Sequence, residues 1–229
     1  MSPSSPWLLD PVAGQALWLT LKVLGIATAL FVLCGIPLGA WLGRSDSRLG
    51  RAVEFLVSLP LVFPPIATGF ILLLLLGRHG PLGRVLAGGL GLEVIFSFWS
   101  LVLAAFITGL PLMIKPIQAA FREEIQCLVD LALVLGQTRR QVLLRVILPN
   151  IRRSVLAGLF LAVLRSLGEV GVSLMLGGNI VGRTNTVSLE IYNAVFSGEY
   201  QRAGMLTALL GAISLAAVLI LRRLDRGRT

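Results

Sequence analysis

The sequence predicts an all-α integral membrane protein with about five transmembrane helices, and three observations carry that expectation. Of 229 residues, 56% are hydrophobic and only 14% are charged, where a soluble domain carries about a quarter charged residues. Mean hydropathy is +0.89. The apolar residues gather in five blocks, at about 15–42, 52–77, 94–114, 154–178 and 203–221, each reaching the roughly 20 residues a helix needs to cross a hydrocarbon core. None alternates apolar and polar residues as a barrel strand must.

The first block is expected to stay as a helix, because no Lys or Arg precedes it and it is longer than the core of a cleaved signal. Lys22 near its outer end snorkels to the headgroups. The second block contains Pro60, Pro64 and Pro65. Proline removes helix hydrogen bonds, and carbonyls freed in lipid must face protein or a wet cavity. This helix is therefore a candidate gate or pore wall, with Thr68 one turn further on; the competing reading is a packing kink. The stretch from Arg78 to Glu93 holds five glycines and reads as a turn-rich connection. The third block carries no charge. The fourth holds Arg165 and Glu169 at a spacing of four, which puts them on one helix face where they can pair. That pair reads either as a structural ion pair or as Arg165 beside the path of an anion. Asn179 and Thr184 follow, as lining of an outer mouth or as caps and turns.

Between the third and fourth blocks lies the longest polar connection, about 116–153, and it looks helical. Phe121, Ile125, Leu128, Val129 and Ala132 recur at helical spacing among charged residues. Gly136 interrupts, Thr138 and Gln141 have capping-box spacing, and Val142, Leu143, Val146 and Ile147 continue a second helix to Pro149. A plain connection needs only a few residues. Two amphipathic helices here suggest either a docking surface or a pair lying on the headgroups.

Basic residues set the orientation. With the amino end outside, fourteen Lys and Arg fall on inner segments and four on outer ones, with Lys22 and Arg165 within blocks. The carboxyl end then faces the cytoplasm. The formal charge of +9 is explained by this membrane-edge excess and its attraction to anionic lipid, so nucleic acid is not an expected partner. Cys34, Cys127 and His79 form no metal-ligand spacing, and no Gly-rich phosphate loop ends in Lys-Ser or Lys-Thr. No metal or cofactor is expected, and the chain cannot bind ATP in that manner by itself.

The inner segment resembles the cytoplasmic signature loop of permease subunits of bacterial ATP-binding-cassette importers. Asp130-Leu131-Ala132 takes the Glu-Ala-Ala places, Gly136 the Gly place, and Val146, Leu148 and Pro149 the last three. Asp for Glu and Leu131 for Ala depart from the pattern. Leu59 to Pro65, Gly77 to Gly83, Arg165 to Gly171, Gly178-Asn179-Ile180 and Gly182 to Tyr192 look like molybdate permeases in particular, with tungstate and sulfate permeases sharing much of this.

The resemblance implies a single transmembrane domain that performs no covalent chemistry and sits in the bacterial inner membrane. It implies a second copy of the chain, two cytoplasmic ATPase subunits docked on the signature loops, and a periplasmic or lipid-anchored oxyanion-binding protein. Asp130, Ala132, Gly136, Val146, Leu148 and Pro149 are then the coupling residues. Thr68, Arg165, Ser166, Glu169 and Asn179 are candidates for the path, and the three prolines for a gate. The rivals are an ion-driven secondary transporter, which usually shows repeated halves and more spans, a membrane hydrolase, which lacks a nucleophile–base pair at one depth, and a structural membrane scaffold, which has no need of the signature loop.

Overall fold

The computed structural model describes residues 11–90 and 94–226, and every regular element among them is a helix. Helix α1 (Pro11–Leu30) runs through a π turn (Phe31–Gly35) into α2 (Ile36–Arg44). Then come α3 (Arg48–Val62), α4 (Pro65–Leu76), α5 (Pro81–Leu90) and α6 (Phe98–Ala120). A second π turn (Phe121–Ile125) leads from α6 into α7 (Gln126–Val134). Helix α8 (Arg139–Val142) passes through a third (Leu143–Ile147) into α9 (Leu148–Leu167), and α10 (Gly171–Gly177), α11 (Val187–Phe196) and α12 (Tyr200–Arg226) complete the chain.

Among the described residues, four helical stretches are long and apolar enough to cross a membrane: Pro11–Arg44, Pro65–Val85, Phe98–Glu123 and Arg139–Leu167. The block read as a fifth span falls in α12, whose 27 residues extend about 40 Å at 1.5 Å per residue.

Helix α6 is the axis of the molecule. Leu101, Val102, Ala105, Met113, Ile117 and Phe121 join Val23, Ala27 and Phe31 of the first helix and Ile151 and Ala162 of α9 in one core. It approaches α9 closely because small residues face each other. A side chain on Gly158 would place its Cβ 2.6 Å from the Met113 carbonyl oxygen, and one on Gly109 would lie 2.9 Å from that of Ala162. The Ser166 hydroxyl also lies 2.8 Å from the Ala105 carbonyl across the pair. Close backbone approach over small residues is how helices associate where lipid removes the hydrophobic drive.

Four sequence expectations are refined. The second block does break, but at Phe63–Pro64; Pro60 sits inside α3, while Pro64 and Pro65 start α4. The fourth block is not one helix, since α9 stops at Leu167 and α10 begins at Gly171. The stretch read as turns after Arg78 contains a helix, α5, which Pro81 can open because its missing N–H falls where a helix needs no bond. Finally, Pro149 ends nothing: it stands at the start of α9, so the second loop helix continues into the fourth span. The connection is therefore a helical hairpin built on the ends of two core helices.

Candidate functional site

Two regions carry the candidate residues. The first is the hairpin of α7 and α8. Its turn is made by Gly136, whose φ of +79° is the left-handed conformation glycine adopts freely. Gln137 N–H donates to the Ala132 carbonyl and Gly136 N–H to that of Leu133, each at 3.0 Å, the crossed pair of bonds that closes a helix end. The next helix opens on a true capping box. The Thr138 hydroxyl accepts from Gln141 N–H, and the Gln141 side chain accepts from Thr138 N–H at 2.9 Å. Ala132, Val142 and Ile147 are buried against Ile125 and Phe121, with Val129 and Val146 packed on them.

Of the residues read as coupling positions, Ala132 and Val146 thus build the hairpin's interior and Gly136 its turn. Asp130, Leu148 and Pro149 are exposed. The sequence reading did not single out Val134 and Leu135, which are 85% and 80% exposed at the tip. Their signal was available: they are apolar, adjoin the turn glycine and lie off the buried face.

The second region lies along the core, where the two interrupted spans meet. A Cβ on Gly171 would lie 2.8 Å from the Pro65 side chain and 3.0 Å from Ile66 N, so the start of α10 rests on the start of α4. Gly69 meets Val172 and Met175 in the same way. Arg165 and Glu169 do pair, at 2.6 Å, with the Glu169 side chain 1% exposed and that of Arg165 30%. The other Glu169 oxygen accepts from Val172 N–H at 2.7 Å. One carboxylate therefore satisfies both the arginine and an orphan donor at the mouth of α10, as a break inside a membrane protein requires. Ser188 donates to the freed Leu167 carbonyl at 2.6 Å. Thr68 is buried in the first turn of α4. Ser166 faces α6. Asn179 is held in left-handed conformation and bonds Asn193 at 2.5 Å, while Thr184 closes the turn by donating to Gly177. The structure thus gathers Arg165, Ser166 and Glu169 at the end of α9, with Glu169 tied to the first turn of α10; Asn179 lies beyond α10.

Two charged clusters were not foreseen. Glu190 on α11 is buried, paired with Arg202 at 2.6 Å and bonded to Asn185. Glu54 on α3 pairs with Lys115 and Arg122. Both join residues far apart in the sequence or across a turn, which periodicity does not register.

The model of the family described as binding-protein-dependent transport system inner membrane component matches residues 35–228. The chain is 36% identical over 214 residues to the molybdenum transport system permease protein ModB of Azotobacter vinelandii, covering 93% of both. It is 34% identical to the protein of that name from Escherichia coli K12, covering 96% of this chain and 98% of the relative. Among solved structures, a chain of the MetNI methionine ABC transporter in an inward-facing conformation superposes with a TM-score of 0.73 at 18% identity, over 99% of this chain and all of that one. A chain of a bacterial alginate ABC transporter, solved in complex with its alginate-bound periplasmic protein, superposes at 0.72 and 19% identity, over 96% of this chain and 80% of that one.

Proposed function

The chain belongs to the family of binding-protein-dependent transport system inner membrane components, and from that premise we propose that it is the membrane-spanning permease of an ATP-driven importer for molybdate. It is a multi-pass inner membrane protein. Its relatives along nearly the whole chain are named as molybdenum permeases, and that naming supports the choice of anion.

The single observation that carries the coupling role is the hairpin. A buried apolar interior and two capped helix ends fix its shape, yet Val134 and Leu135 stand out at its tip. With Leu131, Leu133, Leu143 and Leu144 also exposed on the hairpin, the tip is the barest part of an apolar surface that fits a contact with another protein. In our reading that protein is a separate ATPase, which supplies the nucleotide chemistry this chain lacks. The hairpin end is cytoplasmic and the amino end outside, in keeping with the charge distribution.

Because the hairpin helices are continuous with α6 and α9, a force on the tip is applied to the central packed pair. Helix α9 ends at the break before α10, and the start of α4 rests on the start of α10. Gating then amounts to a change in how the α4 start sits on the α10 start, with Arg165 presenting a positive charge that Glu169 tempers. The assembly holds a second copy of this chain, two ATPases and an external oxyanion-binding protein. The chain itself binds no cofactor and makes or breaks no covalent bond.

The test is uptake of labelled molybdate in a strain lacking this chain, with tungstate and sulfate as competitors. Restored chain yields ATP-dependent molybdate uptake that excess sulfate leaves unchanged. Equal uptake of sulfate would overturn the anion while sparing the importer; uptake without nucleotide would overturn the importer.

A further inference from the structure

Helix α3 presents a puzzle of attachment. It forms the first half of the interrupted second span, yet among its residues only Gly50 is buried. Phe55, Leu56, Leu61 and Val62 are between 46% and 78% exposed. Apolar packing therefore does little to fix α3 on the core.

Where α3 runs alongside α6, the charged tie between them is one carboxylate. Glu54 Oε1 lies 2.8 Å from Lys115 Nζ, and Glu54 Oε2 lies 3.1 Å from Arg122 Nη2. The two cations are seven residues apart, so the carboxylate bridges about 10 Å of helix. Two-pronged attachment fixes direction as well as distance, which a single ion pair cannot. The side chains are 24% exposed for Glu54, 41% for Lys115 and 47% for Arg122, so the desolvation cost of the pairs stays low.

The position of the two prongs matters more than their strength. Lys115 stands in the last turns of α6. Arg122 stands in the π turn Phe121–Ile125, where α6 passes into the hairpin. Such turns recur at functional points in helices. In the other direction, α3 runs on from Glu54 for eight residues to Val62, about 12 Å. It then meets the break at Phe63–Pro64, beside which Pro65 and Ile66 rest on Gly171.

We propose that Glu54 is a positioning residue that transmits hairpin movement to the break in the second span: Arg122 moves with the hairpin, Glu54 follows it, and α3 carries the displacement to Phe63–Pro64. This rests on the importer reading above and adds a mechanical route to it. The cations do more than orient the chain in the membrane.

The experiment uses the complete complex, this chain with its ATPase and binding protein in proteoliposomes, with molybdate taken up and ATP hydrolysed measured together. Wild type that takes up none of molybdate, tungstate and sulfate with ATP refutes the importer reading itself; the inference about Glu54 is judged with the anion that wild type transports. Glu54→Gln should assemble and hydrolyse ATP near the wild-type rate while molybdate moved per ATP falls about tenfold, the scale of a typical coupling between sites. Glu54→Lys should be worse, since three cations then share the site. Exchanging the charges, Glu54→Lys with Lys115→Glu, should recover roughly half of the wild-type ratio or more, the signature of a direct pair. A wild-type ratio in Glu54→Gln, a charge exchange that recovers nothing, or a Glu54→Gln complex that fails to assemble would each overturn the proposal. The last would make the carboxylate a mere fastening.

Discussion

Glycine is used in opposite ways in the core and in the hairpin. At Gly158 the limit is space: an added Cβ would meet the Met113 carbonyl at 2.6 Å. At Gly136 nothing lies within 4 Å of an added Cβ, and the limit is the backbone, with φ at +79°. The first glycine is fixed by what the chain packs on itself. The second leaves open space at a tip where Val134 and Leu135 also face outward. On the proposed reading, an element whose tip is this bare meets a partner outside the chain. The core pair, with backbones nearly touching, is built to stay together under load.

That contrast is broken most severely at Gly158. Gly158→Val forces α6 and α9 apart against rigid backbone, and overpacking of this kind costs about 3 kcal/mol. The detergent-solubilised variant should unfold at a markedly lower temperature and assemble poorly, and uptake should fall with the amount of assembled protein. A variant as stable as wild type would show that the two helices separate easily, and the rigid-pair picture would be wrong.

A smaller effect is expected at the pair beside the break. Arg165→Gln leaves a carboxylate that is 1% exposed without its cation. Removing one partner of a buried pair costs about 3 kcal/mol at the lower end, reduced here because Arg165 is itself partly exposed and Glu169 keeps its bond from Val172 N–H. Glu169→Gln should cost less, since an amide oxygen can still accept from Val172. Thermal unfolding of the two variants, with uptake normalised to assembled protein, separates the roles. A stable Arg165→Gln protein that no longer transports would assign Arg165 to the anion; an unstable one assigns it to holding the break.

Much of this was legible in the sequence, and the failures share a cause. The apolar blocks gave the helices because crossing lipid demands length and hydropathy together. Spacing gave the Arg165–Glu169 pair and the Thr138–Gln141 box because both are contacts within a turn or two. Hydropathy does not register backbone continuity, so the interruption at Gly168–Val170 hid inside an apolar run and Pro149 was read as an end. Glycine count alone misread α5, where Gly80 and Gly83 let the helix start fold back onto the carbonyls of residues 74–77. Glu54 was invisible because its partners lie 61 and 68 positions away. Contacts of that range belong to the tertiary fold and leave no mark in local spacing.

The hairpin offers the sharpest test because stability and function should separate there. Gly136→Arg asks an L residue to hold a left-handed backbone, which costs about 1 kcal/mol. The side chain has room to point away, as the open space around the Cβ position requires. Neither term approaches the cost at Gly158, so insertion and assembly of this chain should remain close to wild type. Uptake should nonetheless be abolished, because a long cation then stands beside Val134 and Leu135, at the proposed ATPase contact. Gly136→Asn is the control, since asparagine tolerates left-handed φ better than most residues and adds little bulk; it should retain most of the transport. Pull-down of the ATPase by each variant, beside molybdate uptake, locates the defect. If Gly136→Arg binds the ATPase and transports as wild type does, the tip is not the contact, and the contrast between a self-sufficient core and an outward-facing hairpin loses its functional meaning.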